Sequence, residues 1–506
     1  MQIALILIIL AVLPLGGQES FAQDIDFPYI RQRLGKPAAD LWESLPEEMT
    51  GPGKTERRDP FVDGYMNNQG HGRHDAGEAV SAEWVRRYDG PAHYHDGAQT
   101  LAVDGQGNVY VTGHAFGPGG WGYATIKYNA AGNRLWVKRY TGPAEDHQDR
   151  ATALAVDGQG NVYVTGLSYS DETELDYATI KYDAAGNRLW VRRYNGPADE
   201  DDVAQAIAVD SQGNVYVTGR SYGSDDIRYD YATIKYDTDG NRQWVRRYNG
   251  PGRFVDCPTA LAVDDQGNVY ITGRSYGSDD ILYDYATIKY DTDGNRLWVR
   301  RYNGPGNGSD WAMALAVDGL GNVYVTGLSY GAGTNLDYAT IKYDPAGNEQ
   351  WVQRYNGPGN GLDWATALAV DGLGNIYVTG LSYGAGTNLD YATIKYDAAG
   401  NKQWVQRYNG PGNREDMALA LALDGQGNVY VSGSSMGNTG IGDDYATIKY
   451  DAAGNEQWVQ RYNGPGNRYD WATALAVDGQ GHVYVTGSSY GGPTNHDFAT
   501  IKYGQE

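Results

Sequence analysis

The sequence predicts an all-β fold, an eight-bladed β-propeller of four-stranded antiparallel blades, and three observations lead to it. Tryptophans opening "WVRRY"-like segments stand at Trp84, Trp136, Trp190, Trp244, Trp298, Trp351, Trp404 and Trp458, 52 to 54 residues apart. Each unit holds four short β-rich segments divided by glycine turns, which is the content of a propeller blade and not of a helical solenoid. The array begins with one orphan segment, that of Trp84, and ends on three, the last being "ATIKY" without its tryptophan segment. One and three make a blade, so the first strand is expected to become the outermost strand of the last blade and to remove the open edges.

Within a unit the segments run "ALAVD", "NVYVTG", "YATIKYD" and "WVRRY". They are rich in β-branched and aromatic residues and alternate with period two. "GQG" between the first pair and "AAG" or "TDG" between the last pair supply the positive φ that tight hairpins need. A blade packs both faces against its neighbours, so Val109, Tyr110 and Val111 can all be buried. The eight tryptophans are read as scaffold, filling the gaps between blades where these widen outward. Gly 70 and Tyr 43 in 506 residues fit a β protein with many turns.

A formal charge of −23 argues against nucleic acid and anionic membranes, because phosphate binding needs clustered Lys and Arg. Cys257 is the single cysteine, so neither an intramolecular disulfide nor a multi-cysteine metal site can form. Residues 1–22, with the run "IALILIILAVLPL" and "SFA" before Gln23, read as an export signal too short to span a bilayer. Residues 23–80 differ in composition and read as a linker or cap. The expected mature chain is periplasmic or extracellular, monomeric and without a membrane span, its propeller covering residues 81–506.

The segment "TGLSYGAGTNLDYATIKYDPAGNEQWVQRYNGPG" at 326–359 resembles the bacterial β-propeller repeat called SBBP, found in exported and cell-surface proteins. That repeat's name implies seven blades, whereas this sequence counts eight. "YDAAGNRLW" at 182–190 is similar to the tryptophan-docking motif of eight-bladed quinoprotein dehydrogenases, with an Asp, a turn Gly and a Trp four residues later. The cysteine pair of their alcohol-oxidising members cannot exist here. The resemblance implies a fold and no particular activity.

The turns inside strand pairs are short and uniform, so one rim is tight. The other carries the longer connections, such as "NGPGNGLDWA" and "LSYGAGTNLDY", and is where binding is expected. Two acidic rings fall there. Asp96, Asp149, Asp202, Asp256, Asp310, Asp363, Asp416 and Asp470 stand eight residues before each "LAVD" aspartate. Asp176, Asp230, Asp284, Asp337, Asp390, Asp444 and Asp497 precede the aromatic of "YATI" or "FATI", and the first unit has Gly122 instead. Such carboxylates either cap their loops by accepting backbone N–H bonds or gather negative potential that binds Ca²⁺ or a cationic ligand. Trp311, Trp364 and Trp471 follow the first ring and either stack on a ligand or pack within the loops. The divergent first unit is rich in histidine, and His93, His95 and Asp96 are a candidate transition-metal set.

No His-Glu-x-x-His or phosphate loop occurs. Acidic pairs repeated in nearly every blade do not single out one acid/base dyad. The leading expectation is a non-catalytic scaffold binding protein or polysaccharide through the variable rim. The alternatives are a Ca²⁺-dependent hydrolase or lyase with its site at the channel, and a surface module stabilised by cations.

Overall fold

The "VYVTG" and "YATIKY" runs, rich in β-branched and aromatic residues that favour extended backbone, form the centre of every sheet in the computed structural model. It describes residues 81–504 apart from 145–146, 225–227, 253, 278–281 and 438–441. The expected export signal at 1–22 and the segment 23–80 lie outside the described residues. Ala79–Glu506 forms one compact unit.

Blade 3 shows the plan: strands Asp202–Val209, Val215–Tyr222, Tyr229–Tyr236 and Arg242–Tyr248 pair in chain order, all antiparallel. In chain order, blade 1 is built from Asp96–Tyr140, blade 2 from Arg150–Tyr194, and blades 4 to 7 begin at Asp256, Trp311, Asp363 and Asp416. Blade 1 carries in addition a two-residue strand, His147–Gln148, parallel to Gly120 and Trp121. In blade 8, Asp470–Val477, Val483–Tyr490 and His496–Tyr503 are completed by the N-terminal strand Ala82–Tyr88. Trp84 pairs with Lys502 and Tyr88 with Phe498, the register that Trp190 and Tyr194 keep with Lys181 and Tyr177 inside blade 2. The ring therefore closes one-plus-three, as the phase of the repeat requires.

Two glycines per unit have steric reasons. Gly213 takes φ 82° and closes its turn by donating from its N–H to Asp210 O at 3.0 Å, while Asp210 Oδ1 accepts from Gln212 N and Asn214 N. Gly219 lies opposite a bulge between Ala204 and Ala206, where a Cβ would sit 2.1 Å from Val203 O.

The core lies between blades. Tyr163, Tyr177, Trp190 and Tyr194 of blade 2 pack on Ala204, Val215, Val217, Ala232 and Ile234 of blade 3. Val109, Tyr110 and Val111 are all fully buried, one blade filling both of its junctions. Trp190 lies on Gly240 of the next blade, whose Cβ would come within 2.8 Å of the indole, and its Nε1 donates to Thr238 O at 3.2 Å. The same carbonyl accepts Lys181 Nζ at 3.0 Å. Each outer strand is thereby latched to its neighbour by apolar area and paired hydrogen bonds. At the seam Trp84 Nε1 donates to Ala130 O at 3.1 Å, and Thr473 Oγ1 reaches Ala98 O at 2.9 Å.

Candidate functional site

Strand pairing places both acidic rings on one rim, since Asp202 opposes Ser221 and Ser221 opposes Asp230. The first ring is inside the wall of that rim. Asp96, Asp149, Asp202, Asp256, Asp310, Asp363, Asp416 and Asp470 are each at most 1% exposed. Asp310 Oδ2 accepts Gly304 N at 2.6 Å and its Oδ1 accepts Tyr330 N at 3.0 Å, tying the interblade loop to the loop between the second and third strands. Asp149, Asp363 and Asp470 repeat this pair of bonds. Burial pushes these carboxyls up, Asp96 and Asp202 to about 7 and Asp256, Asp310, Asp363, Asp416 and Asp470 to about 6.

The second ring meets a partner that sequence reading passed over, the second arginine of "WVRRY". Arg193, Arg247, Arg301, Arg354, Arg407, Arg461 and Arg87 pair with Asp176, Asp230, Asp284, Asp337, Asp390, Asp444 and Asp497 at 2.6–2.9 Å. Arg354 also donates to Ser329 Oγ and to Tyr302 Oη of the preceding blade. The available signal was a constant interval of 17 residues from Asp to Arg in blades 2 to 7. In these roles the carboxylates hold loops and strands together and are largely buried.

What differs from blade to blade is the top layer of each junction. Trp311 and Trp364 lie there, 6% and 5% exposed. Trp311 packs under the Arg274 guanidinium at 4.4 Å and edge-on to Tyr283 at 6.0 Å. The junction of blades 2 and 3 is aliphatic, with Leu167, Leu175 and Val203. Trp471 is half-exposed, and its Nε1 donates to Asp443 Oδ2 at 3.2 Å.

At the seam of blades 8 and 1 this layer becomes a column of rings. Tyr469 stacks on Trp471 (5.9 Å, 29°), Trp471 on His496 (5.3 Å, 10°) and His496 on His95 (5.3 Å, 18°), with Tyr94 edge-on to His95 at 5.0 Å. Tyr94 and Tyr469, at its two ends, are 41% and 40% exposed. Burial lowers the His95 imidazole and takes His496 down to about 4, so the stack is neutral near pH 7. Gly97 takes the place of the filler residue in this junction, and the His114 ring stands where its Cβ would be.

The candidate metal set is not assembled as a triad. His95 stacks in the column, whereas His93 is exposed and its Nδ1 bonds Asp89 Oδ2. Asp96 instead meets Asp89 and Asp497, with ligand atoms all within 4.8 Å of one another. Asp89 went unnoticed because it replaces the asparagine of "RYNGP" by one atom type. On the opposite rim a polar groove of about 520 Å³, lined by Asn214, Lys235, Asp237, Trp244 and Thr292, is remote from all these groups.

Six segments, residues 135–172, 189–227, 243–280, 297–333, 350–386 and 457–493, match the family described as SBBP, a beta-propeller repeat. An uncharacterized WD repeat-containing protein of Acanthamoeba polyphaga mimivirus is 25% identical over 460 residues, 73% of this chain and 31% of that protein. The regulatory protein FlaEY of Caulobacter vibrioides is 35% identical over 114 residues, 20% of this chain and 11% of that protein. The chain thus spans about a third or less of the length of these curated relatives. Among solved structures, Chaetomium thermophilum Sqt1 bound to the N-terminus of the ribosomal protein L10 superposes with a TM-score of 0.55 at 10% identity, covering 84% of this chain and all of that one. That likeness is one of fold.

Proposed function

We propose that the chain is an exported, monomeric, non-catalytic propeller that holds a protein or carbohydrate ligand on its variable rim, centred on the junction of blades 8 and 1. The observation that carries this reading is the ring column from Tyr469 to Tyr94, the place where an otherwise copied surface becomes unique and presents aromatic faces and edges at both ends. Large, rigid rings beside polar groups recognise ligands at low entropic cost. The acidic rings serve the scaffold, and their carboxylates are already engaged by backbone N–H groups and arginines.

Titration of the folded protein with an array of neutral oligosaccharides and peptides, read by tryptophan fluorescence, tests it. Binding that weakens at least about tenfold in Trp471→Ala and Tyr94→Ala, but not in the buried-layer control Trp364→Phe, supports the reading. Chemical turnover of the bound ligand, or equal affinity in all variants, counts against it. Export is tested by sequencing the mature N-terminus, expected at Gln23.

A second reading, a Ca²⁺-dependent enzyme or cation-stabilised module, draws on Asp89, Asp96 and Asp497. Arg87 and His93 already neutralise two of these carboxylates and two backbone N–H groups hold the third, so we favour the first reading. Calorimetry with CaCl₂ decides between them: stoichiometric heat abolished by Asp89→Asn favours the cation.

A further inference from the structure

Blade 1 departs from the other seven at one buried ion-pair site. In blades 2 to 8 the second arginine of the outer strand meets a serine on the second strand and an aspartate at the start of the third. In blade 5 Arg354 Nη2 lies 2.9 Å from Asp337 Oδ2, and Nη1 lies 2.7 Å from Ser329 Oγ and 3.0 Å from Tyr302 Oη. Blade 1 keeps the cation, with Arg139 opposite Ala124 as Arg354 is opposite Ala339. It replaces the serine with Ala115 and the aspartate with Gly122. Arg139 Nη2 donates to Ala115 O at 3.0 Å, while Nη1 is buried and has no hydrogen-bond acceptor among the described residues.

The retention of this arginine is informative. The residue just before it varies freely, with Gln353, Gln406 and Gln460 in blades 5 to 7. Arg139 is half-buried and meets only the Ala115 carbonyl, so its charge lacks the counter-ion that the other seven arginines have, and a neutral residue would fit at least as well at position 139 if nothing else met it. A guanidinium presents a planar fork that matches a carboxylate. Gly122 leaves its Cβ direction bounded by Thr141 Cγ2 and the Tyr140 carbonyl oxygen, each at 3.0 Å, and by Arg139 Nη2 at 3.4 Å. Pro91, Pro118, Gly119 and Thr141 around it are exposed, which leaves the place within reach of solvent.

We propose that blade 1 binds a carboxylate-bearing ligand, whose carboxylate stands against Arg139 where seven other blades supply their own aspartate. Phe116 and Trp121, in edge contact at 5.2 Å, pair across the hairpin of the second and third strands, and Tyr94 of the ring column touches Phe116 at 5.2 Å. The inference therefore names a chemical group recognised at the proposed rim site, and it rests on that reading.

Thermal unfolding of the full chain at neutral pH, with sodium acetate against sodium chloride at equal ionic strength, tests it. Acetate is expected to raise Tm saturably in the wild type through mass action. Gly122→Asp, which restores the internal carboxylate, and Arg139→Gln, which removes the fork, are each expected to weaken that response at least about tenfold. Equal effects of acetate and chloride on the wild type overturn the proposal, as does a wild-type response in both variants. Glucuronate run beside acetate separates the sources: tighter binding points to a sugar acid, equal binding to an acidic side chain or chain end, and the site stands in both. Loss of the acetate effect, with Trp471→Ala and Tyr94→Ala still impairing ligand capture, removes the carboxylate site alone; an acetate effect with those variants inert removes the rim reading alone.

Discussion

Removing one docked tryptophan tests how the blades are held together. Trp298 is 8% exposed, lies 6.2 Å from both Tyr270 and Tyr343 and covers Gly347, and its Nε1 donates to Pro345 O at 3.2 Å. An indole buries roughly 200 Å², which at about 25 cal/mol/Å² corresponds to about 5 kcal/mol as an upper figure. Measured truncations of buried aromatics fall at about 3–5 kcal/mol. Trp298→Ala is therefore expected to lose about 3–5 kcal/mol, and Trp298→Phe, which keeps most of the area, about 1–2 kcal/mol through the lost hydrogen bond and packing. Urea unfolding followed by far-UV circular dichroism, with the slope of the transition checked for constancy, gives both numbers. A loss below about 1 kcal/mol for the alanine variant would refute the view that interblade tryptophans carry the ring.

Gly347 holds φ 81° and its Cβ would come within 2.8 Å of the same indole, so Gly347→Ala is expected to cost about 2 kcal/mol or more by the same assay. Arg354→Met leaves buried Asp337 without its cation and is expected to cost about 3–5 kcal/mol, whereas Arg139→Met, which breaks no ion pair, costs about 1 kcal/mol or less; paired urea titrations compare them. The pH profile follows from two opposed sets. The first-ring carboxyls have folded values raised to about 6–7, so the stability they add is full below the ordinary aspartate range and is lost as pH rises through 6–7. His496 and His114 are held down at about 4 and about 3, so their contribution is present above about 6.5 and is lost as pH falls toward those values. Because the raised carboxyls outnumber the lowered histidines, Tm is expected to be highest below about pH 5 and to fall toward pH 7, and Asp363→Asn, whose carboxyl is raised to about 6, is expected to flatten part of that fall between about pH 4 and 6.

The fold was legible because the repeat states each requirement eight times. "VTG" marks the glycine under the bulge, "DxxGN" marks the turn, and the orphan Trp84 segment marks the closing strand, each a local rule with a steric cause. Both aspartate rings were also readable as positions on one rim. Their partners were not, because an Asp–Arg contact such as Asp337 with Arg354 joins strands whose facing order depends on sheet register. The use of Trp311 and Trp364 was hidden as well. A tryptophan after an aspartate reads alike whether its junction exposes it or, as with Arg274 and Tyr283 packed against Trp311, closes over it. The column at the seam arises from residues far apart in the chain, His95 and His496, which come together only once the ring is closed.

Closure is tested most directly by cross-linking. Val85 and Ile501 face each other across the seam, so in a Cys257→Ser background Val85→Cys with Ile501→Cys is expected to oxidise to a disulfide, seen by mass spectrometry, and to raise Tm. The shifted pair Arg86→Cys with Ile501→Cys points to opposite faces and is expected to stay reduced. Equal cross-linking of both pairs, or of neither, would contradict a ring sealed by its own first strand.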